Sequence, residues 1–278
     1  MAASADPSPP PSDAQMAVPM LLAGFDAGQT HTTCRLSEPG QPTVLAEGSG
    51  PGVRHLAAPG GPEAFRAALL GSLAAARDAL AAPWAAAPLA AVAVGASGIE
   101  VGTEVQRQGQ RLAAAALRLP EGRVAVTGDE RTALQGAFAG GAGIVVISGT
   151  GTIAVGRDGH GREHRCAGWG WLLDGAGSAM DIGRDALSLS LRMADGRERP
   201  GPLLAAIWQA LGLEVADPAS PQRIKALVVQ PDFGAPGFAS LAPVVDQVAE
   251  RGDPQAVAIL ERNAGALTAM AAAVATAL

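Results

Sequence analysis

The sequence predicts a mixed α/β protein with two domains of related fold, each opening with an antiparallel β-meander. Two patterns predict this architecture. A strand, a glycine turn and a second strand occur in the same order near residues 20–36 and again near residues 144–157. Elsewhere, apolar residues recur every three or four positions, which is typical of amphipathic helices. From Gly177 onward this helical spacing predominates, so we expect the C-terminal half to be largely helical.

The first half is predicted to contain five strands and three helices. A helix is expected to begin near Pro62, where a missing N–H costs nothing, and to stop before Pro83. The expected strands, separated by glycine turns or helices, cover residues 20–25, 30–36, 43–48, 89–95 and 123–127, and two further helices cover 104–117 and 130–138.

The glycine-rich stretch at residues 140–143 is the clearest internal boundary. The meander pattern returns after it, with strands expected over residues 144–148, 152–157 and 163–166. We therefore expect a disordered polar tail at residues 1–18, an N-terminal domain at 19–139 and a C-terminal domain at 140–278.

The last predicted helix starts well but has no recognisable end. Asp253 is a fitting N-cap and Pro254 a fitting first residue. No glycine, basic turn or cap closes the pattern before the chain ends, so we expect the C-terminal domain to be incomplete. The positions expected to face the core are Val257, Leu260, Ala264, Leu267, Ala271, Val274 and Leu278.

Composition excludes several function classes. The net charge of −6 argues against nucleic acid as a partner. The single lysine, Lys225, follows Ile224, so the chain has no Walker-A loop, and no HRD-type kinase loop is present. Two cysteines, Cys34 and Cys166, cannot supply a disulfide framework, a four-cysteine zinc site or a four-iron cluster.

We expect a cytoplasmic protein with no membrane partner. Residues 1–18 lack the basic and apolar regions of a signal peptide. The apolar stretch at residues 264–278 is shorter than the roughly 20 residues that a membrane helix needs.

Two glycine turns are candidate phosphate sites. In the first, Asp26 ends a strand beside Gly28 and Thr30; in the second, residues 148–152 read SGTGT. Glycine turns let backbone N–H groups approach phosphate oxygens, and a carboxylate such as Asp26 can hold Mg²⁺ through water. Either turn alone also fits an ordinary hairpin. Their equivalent places in the two halves favour phosphates clamped between two lobes.

Two further segments could carry chemistry. Asp129 follows a predicted strand, where a carboxylate could accept a hydroxyl proton, although it fits a helix N-cap equally well. The glycine-rich loop at residues 168–178 precedes a helix and could line a small-molecule pocket or form a rigid turn. His164 and Cys166 share a strand face, but without a second pair a structural role is favoured over metal binding.

Four motifs, taken in their order along the chain, resemble one known family. They are DxGxT at residues 26–30, the strand–Asp junction at 128–129, SGTGT at 148–152 and the GWG…GS…IGR series from 168. The family is the N-acetylglucosamine kinase and BadF/BadG/BcrA/BcrD ATPase family, within the actin-like, ribonuclease H-like superfamily of sugar kinases. The resemblance covers about residues 20–278. Three stretches are close to the usual sequence of the family: GIVVISGTGTIAVGRDGHG, AGWGWLL and DIGRDAL.

The resemblance implies ATP and Mg²⁺ as cofactors, an amino sugar as substrate and a homodimer. Asp129 would abstract the proton of the sugar 6-hydroxyl, and Asp26 would hold the metal. Sugar contacts would come from Thr150, Gly151, Gly168, Trp169, Gly170 and Asp174. The residues implied for ATP are Asp26, Gly28, Gln29, Thr30, Gly149, Thr150, Gly151 and Thr152.

The chain departs from the family's pattern in three places. Residues 48–56 lack the asparagine that the family uses to hold the sugar, and the single asparagine, Asn263, lies far along the chain. The family's GDEGS reads DGAGS at residues 174–178. The family also continues past the last helix to an adenine-binding segment.

Three functions follow from these features. The first is an ATP-dependent kinase that forms the 6-phosphate of N-acetylglucosamine or a related amino sugar. The second is a BadF-type ATPase without sugar kinase activity, although Cys34 and Cys166 cannot supply that group's shared iron–sulfur cluster. The third is a non-catalytic or truncated relative that binds sugar or nucleotide.

Overall fold

The computed structural model describes residues 19–278, which form two compact units that divide after Asp129. The tail expected at residues 1–18 lies outside the described residues. The predicted α/β class is confirmed, and each unit contains an antiparallel meander, which in the second unit follows a helix.

The first unit is a five-stranded sheet with two helices. Its sheet order is β3-β2-β1-β4-β5, antiparallel through the meander and parallel from β1 to β4 and β5. The elements are β1 (Leu21–Ala27), β2 (His31–Ser37), β3 (Val44–Pro51), α1 (Gly61–Asp78), β4 (Leu89–Ala96), α2 (Glu104–Leu117) and β5 (Val124–Thr127).

Alternation along β1 sets the core of this unit. Leu21, Ala23 and Phe25 are buried on one face of the sheet, as the period of a strand requires. The helix α1 lies so close to β3 that a Cβ on Gly48 would sit 2.1 Å from the backbone nitrogen of Ala76. Glycine is therefore required there by packing.

The second unit is a three-stranded antiparallel sheet, in the order β6-β7-β8, followed by helices. Its core has two parts, one between α4, α5 and α8 and one between the sheet and α9. The elements are β6 (Gly143–Ser148), β7 (Thr152–Arg157), β8 (Glu163–Ala167), α4 (Ala179–Ala194), α5 (Pro202–Ala210), α6 (Ser220–Val228), α7 (Gly234–Ala239), α8 (Ala242–Glu250) and α9 (Pro254–Ala277).

The boundary between the units differs from the predicted position after residue 139. A helix, α3 (Asp129–Phe138), follows β5, and its side chains bond to the second sheet. Arg131 forms an ion pair with Glu163, and Arg157 donates to Gln135 across 3.0 Å and to Glu163 across 3.0 Å. These bonds place most of α3 with the second unit.

Replacing Glu163 with glutamine is expected to destabilise the second unit by about 1–3 kcal/mol, because two partly buried arginines lose their shared partner. The Glu163 and Arg157 side chains are 18% and 14% exposed. Urea unfolding followed by fluorescence of the buried Trp208 measures the change. The matched control is Glu198→Gln, because Glu198 pairs with Arg192 at 4.0 Å in an exposed position and should matter less. Equal effects of the two variants would contradict the prediction.

The N-terminal end of α9 is as predicted, and its core-facing side is as predicted in part, because Leu260 and Leu278 pack partly buried against the core. Asp253 accepts hydrogen bonds from the backbone nitrogens of Gln255 and Ala256 at 3.0 and 2.9 Å, which is an N-cap. Of the seven positions expected to face the core, only Val274 is buried. The buried residues are Ala256, Ile259, Asn263, Met270 and Val274. Alanines lie on every side of α9, so the spacing of apolar residues alone could not identify its buried face.

By length and composition alone, α9 is also apolar enough to cross a membrane. The predicted apolar stretch at residues 264–278 covers only part of this helix. In the structure α9 packs against β6, β7, β8, α4 and α8. These contacts cover only one side of the helix, since 22% of its most apolar stretch is buried.

Candidate functional site

Two predicted site carboxylates lie at one edge of the first sheet. The strands β1, β4 and β5 are parallel, so their carboxyl ends meet at the same edge. The register pairs Asp26 with Gly95 of β4, and Gly95 with Thr127 of β5. Asp129 follows two residues later as the first residue of α3 and is half-buried. The carboxyl edge of an open parallel sheet is where such folds bind ligands.

The turn after β1 has a fixed backbone and exposed polar side chains. The Gly28 nitrogen donates to the carbonyl of His31 at 3.1 Å, and its own carbonyl accepts from Val53 at 2.9 Å. A Cβ on Gly52 would sit 2.1 Å from the carbonyl oxygen of Gln29, so the end of β3 supports the turn. The side chains of Asp26, Gln29 and Thr30 are exposed. The turn is therefore a rigid support that presents a carboxylate, an amide and a hydroxyl.

The structure adds two residues to this edge, Ser97 and His55. The Ser97 nitrogen donates to the carbonyl of Ala27 at 3.0 Å, and its hydroxyl accepts from Gln29 Nε2 at 3.5 Å. A Cβ on Gly98 would sit 2.9 Å from His55 Cδ2, so the imidazole lies over the loop after β4. Ser97 directly follows a predicted strand, which is a usable signal. No motif near His55 in the sequence indicates a site residue, because its position at this edge depends on packing between distant segments.

The second glycine turn, residues 148–152, is tied to the loop before α4. Ser148 Oγ donates to the carbonyl of Gly177 at 2.7 Å, and Thr152 Oγ1 donates to that of Ala176 at 2.9 Å. Thr152 is buried, whereas Thr150 is exposed. Two of the three hydroxyls therefore hold the turn in place, and Thr150 presents its own to solvent.

Nothing within the protein requires the two glycines of this turn. A Cβ on Gly149 or Gly151 would meet nothing within 4 Å, and neither residue has a positive φ. The carbonyl of Gly149 accepts from the Ala179 nitrogen, the first N–H of α4, at 2.8 Å. The positive end of the α4 dipole therefore lies beside the turn, an arrangement that favours a bound anion.

Ser178 and Asp181 form the first turn of α4. Ser178 Oγ accepts from the Asp181 nitrogen at 3.1 Å and donates to the carbonyl of Gly175 at 2.6 Å. Burial raises the pKa of the Asp181 carboxyl above its usual value, and the nearby Asp185 raises it further. Ser178 is thus the N-cap of α4, and it places a neutral side chain at the end of the helix nearest the glycine turn at residues 148–152.

The predicted substrate loop at residues 168–178 is well defined. Gly168 and Gly170 have φ of 76° and 87°, which favours glycine. Trp169 is 60% exposed, and the Arg165 guanidinium lies 4.9 Å from its ring centroid. Asp174 Oδ1 accepts from the Ala176 nitrogen at 3.4 Å, so this carboxylate also shapes its own loop. Leu172 and Leu173 are 77% and 84% exposed.

Within residues 19–278, no group of three or more His, Cys, Asp or Glu side chains is placed to hold a metal ion. Asp26 offers one exposed carboxylate at the first turn. One carboxylate fits Mg²⁺, which keeps several waters and takes its other ligands from substrate phosphates.

Cys34 is expected to be unreactive in the native protein, because burial raises the pKa of its thiol to about 12. In a Cys166→Ser variant at pH 8, a thiol reagent such as DTNB should label Cys34 only after denaturation. The same variant in urea is the positive control. Rapid labelling without denaturant would contradict the assignment of Cys34 to the core.

Comparisons with known proteins identify the fold. The sequence profile of the BadF/BadG/BcrA/BcrD ATPase family matches residues 23–278. A solved structure from Chromobacterium violaceum, described as a candidate N-acetylglucosamine kinase, has a TM-score of 0.74 at 28% identity, covering 91% of this chain and 82% of that one. A similarly described structure from Porphyromonas gingivalis has a TM-score of 0.63 at 20% identity, covering 88% and 77%. The predicted two-lobed actin-like fold is thereby confirmed.

A curated relative matches a shorter stretch. The N-acetylmuramic acid/N-acetylglucosamine kinase of Clostridium acetobutylicum is 42% identical over 76 residues, which are 27% of this chain. That stretch spans 25% of the relative's own length. The profile match over residues 23–278 decides the assignment: the chain belongs to the BadF/BadG/BcrA/BcrD ATPase family.

Proposed function

We propose that the protein catalyses ATP-dependent phosphoryl transfer to a hydroxyl of an amino sugar, with N-acetylglucosamine as the leading substrate and its 6-phosphate as product. One observation carries the proposal. Gly149 and Gly151 form a turn at the N-terminus of α4, and the fold itself gives no reason for either glycine. A glycine turn with open space at its tip fits the close approach of phosphate oxygens to backbone N–H groups. The names of the matched relatives support the sugar class.

Each unit would offer one glycine turn to the phosphates of ATP. In the first unit, the phosphates would lie beside Gly28, whose lack of a side chain leaves room for them, and would meet the side chains of Gln29 and Thr30, while Asp26 would hold Mg²⁺. In the second unit, residues 149–152 would contact the phosphates. When bound, Mg²⁺ would neutralise charge on the transferred phosphoryl group. Such catalysis depends chiefly on positioning and electrostatic stabilisation, which rigid turns supply.

The acceptor side would be built around Asp129. A carboxylate at the carboxyl edge of β5 can accept the proton of a sugar hydroxyl as the hydroxyl oxygen attacks phosphorus. His55 and Ser97 lie at the same edge and could bond other sugar hydroxyls. From the second unit, the predicted contacts are Thr150, Gly151, Gly168, Trp169, Gly170 and Asp174. An exposed indole such as that of Trp169 suits packing against a sugar face.

A coupled assay for ADP release tests the proposal. Purified protein with ATP and Mg²⁺ would be offered N-acetylglucosamine, N-acetylmuramic acid, glucosamine and glucose in turn. We expect turnover with at least one acetylated amino sugar and little with glucose. Absence of sugar-dependent turnover from a folded protein would overturn the kinase assignment.

Two alternatives give different outcomes in the same assay. A non-catalytic relative would bind nucleotide or sugar in calorimetry and release no ADP. A BadF-type ATPase would release ADP at a rate that no sugar changes. Residues 174–178, which read DGAGS, favour the first alternative, whereas Asp26 and Asp129 at one sheet edge favour the kinase. A homodimer and a cytoplasmic location remain part of the proposal.

A further inference from the structure

Gly177 is the point at which three segments of the second unit meet. Its N–H donates to Asn263 Oδ1 of α9 at 3.0 Å, and its carbonyl accepts from Ser148 Oγ at the end of β6 at 2.7 Å. Its φ of 79° favours glycine, and a Cβ there would sit 2.7 Å from Leu267 Cδ2. Both polar groups of this residue are therefore fixed by side chains from distant parts of the sequence.

Asn263 is an unusual residue for its place. It is 3% exposed in the middle of α9, where it faces the loop before α4. Burying an amide is costly unless it is hydrogen-bonded, and asparagine is a weak helix former. Here the Nδ2 group donates to the carbonyl of Ile259 at 2.9 Å, and the Oδ1 atom accepts from Gly177. The chain's single asparagine thus has both ends of its amide bonded.

From Gly177 the hydrogen bonds lead directly to the second glycine turn. Ala176, next to Gly177, accepts a hydrogen bond from Thr152 Oγ1 at 2.9 Å, and Ala179, two residues further on, donates one to the Gly149 carbonyl at 2.8 Å. With the Ser148 bond, three hydrogen bonds join residues 176–179 to residues 148–152. A displacement of Gly177 would therefore move the turn and the start of α4 together.

We propose that Asn263 is a positioning residue for the phosphate-binding turn. From α9 it fixes Gly177, and through Gly177 it holds the turn and the N-terminus of α4 in one geometry before a ligand arrives. This inference rests on the proposed function, since it assumes that the turn at residues 148–152 binds phosphate. Its structural part, the coupling of α9 to the turn, can be measured without any ligand.

The test replaces Asn263 with leucine, whose side chain has the same branched skeleton of four heavy atoms, is larger than that of asparagine, and can form neither hydrogen bond. The matched control is Ser190→Ala. Ser190 is a fully buried polar residue of the same unit, bonded to the Leu187 carbonyl and Trp208 Nε1, away from the turn. Hydrogen exchange of the backbone amides reports local opening, and kinetics give separate KM values for ATP and sugar.

We expect Asn263→Leu to speed amide exchange at residues 149–151 and 175–179 and to raise the KM for ATP by about tenfold to 100-fold. The KM for sugar should rise as well, because Thr150 and Gly151 of the same turn are also proposed sugar contacts. Uniform destabilisation would instead lower the active fraction, and therefore the apparent kcat, and leave both KM values unchanged. Ser190→Ala should lower the melting temperature without changing exchange at the turn or the KM for ATP.

Three results separate this inference from the proposed function. Unchanged exchange and unchanged ATP affinity in a folded Asn263→Leu protein would overturn the inference, as would the same changes in Ser190→Ala. Faster exchange at the turn in a protein whose wild type binds no nucleotide would uphold the coupling and overturn the proposed function. If Asn263→Leu does not fold, Ser148→Ala removes the other bond to Gly177 and should produce the same local exchange.

Discussion

Replacing Asp129 with asparagine is expected to lower kcat for sugar phosphorylation by about 10²–10⁴-fold, the usual contribution of a general base. The amide has nearly the same shape as the carboxylate but cannot accept the hydroxyl proton at neutral pH. Asparagine is also tolerated at the start of a helix, so α3 should form normally. Coupled ADP release at saturating sugar gives kcat, and calorimetry with a non-hydrolysable ATP analogue shows whether nucleotide binding survives.

The matched control for this substitution is Glu104→Gln. Glu104 is the first residue of α2, as Asp129 is of α3, and its contacts are with Arg107 and Arg111 on the surface. This variant should keep the wild-type rate. Retention of more than about a tenth of the rate in Asp129→Asn would show that another group takes the proton or that none is needed.

Alanine at Gly149 or Gly151 is expected to weaken ATP binding by tenfold or more, equivalent to about 1.4 kcal/mol or more, while leaving the fold intact. In the protein without ligand, the added methyl group meets nothing within 4 Å, and neither glycine has a positive φ. The melting temperature should therefore barely change. The methyl group would, however, occupy the space through which phosphate oxygens reach the backbone N–H groups.

A glycine in another turn of the same sheet supplies the control. Gly159 lies between β7 and β8, with open space around its Cβ position and no positive φ. Gly159→Ala should change neither stability nor affinity. The interpretation of residues 148–152 as a phosphate turn would fail if ATP bound equally well to the Gly149, Gly151 and Gly159 variants.

Local patterns in the sequence predicted most of the secondary structure. The helix over residues 104–117 and the strand over 152–157 have the bounds that the sequence indicated, because capping residues and glycine turns mark their ends. Asp26 and Asp129 could be selected as candidates because each follows a strand. That they lie at one edge depends on the parallel pairing of β1, β4 and β5, which no local pattern specifies.

Long-range packing decided the features that the sequence did not reveal. The sequence predicts the buried face of α9 only in part, because alanine offers apolar positions on every side of that helix. Ser97 and His55 join the candidate site through contacts with Gln29 and Gly98. The motifs indicate no role for Asn263, because it lies far from residues 48–56, where the family places its sugar-binding asparagine. Its bond to Gly177 spans 86 positions in the sequence, beyond any motif.

The bond between α9 and the glycine turn has a thermodynamic consequence at the far end of the helix. A ligand that binds the ordered turn more tightly than the disordered one must, by reciprocity, also favour the docked state of α9. Local opening of α9 would then become rarer as the ligand concentration rises. Residues 264–277, which lie outside the candidate site, would report its occupancy through slower amide exchange.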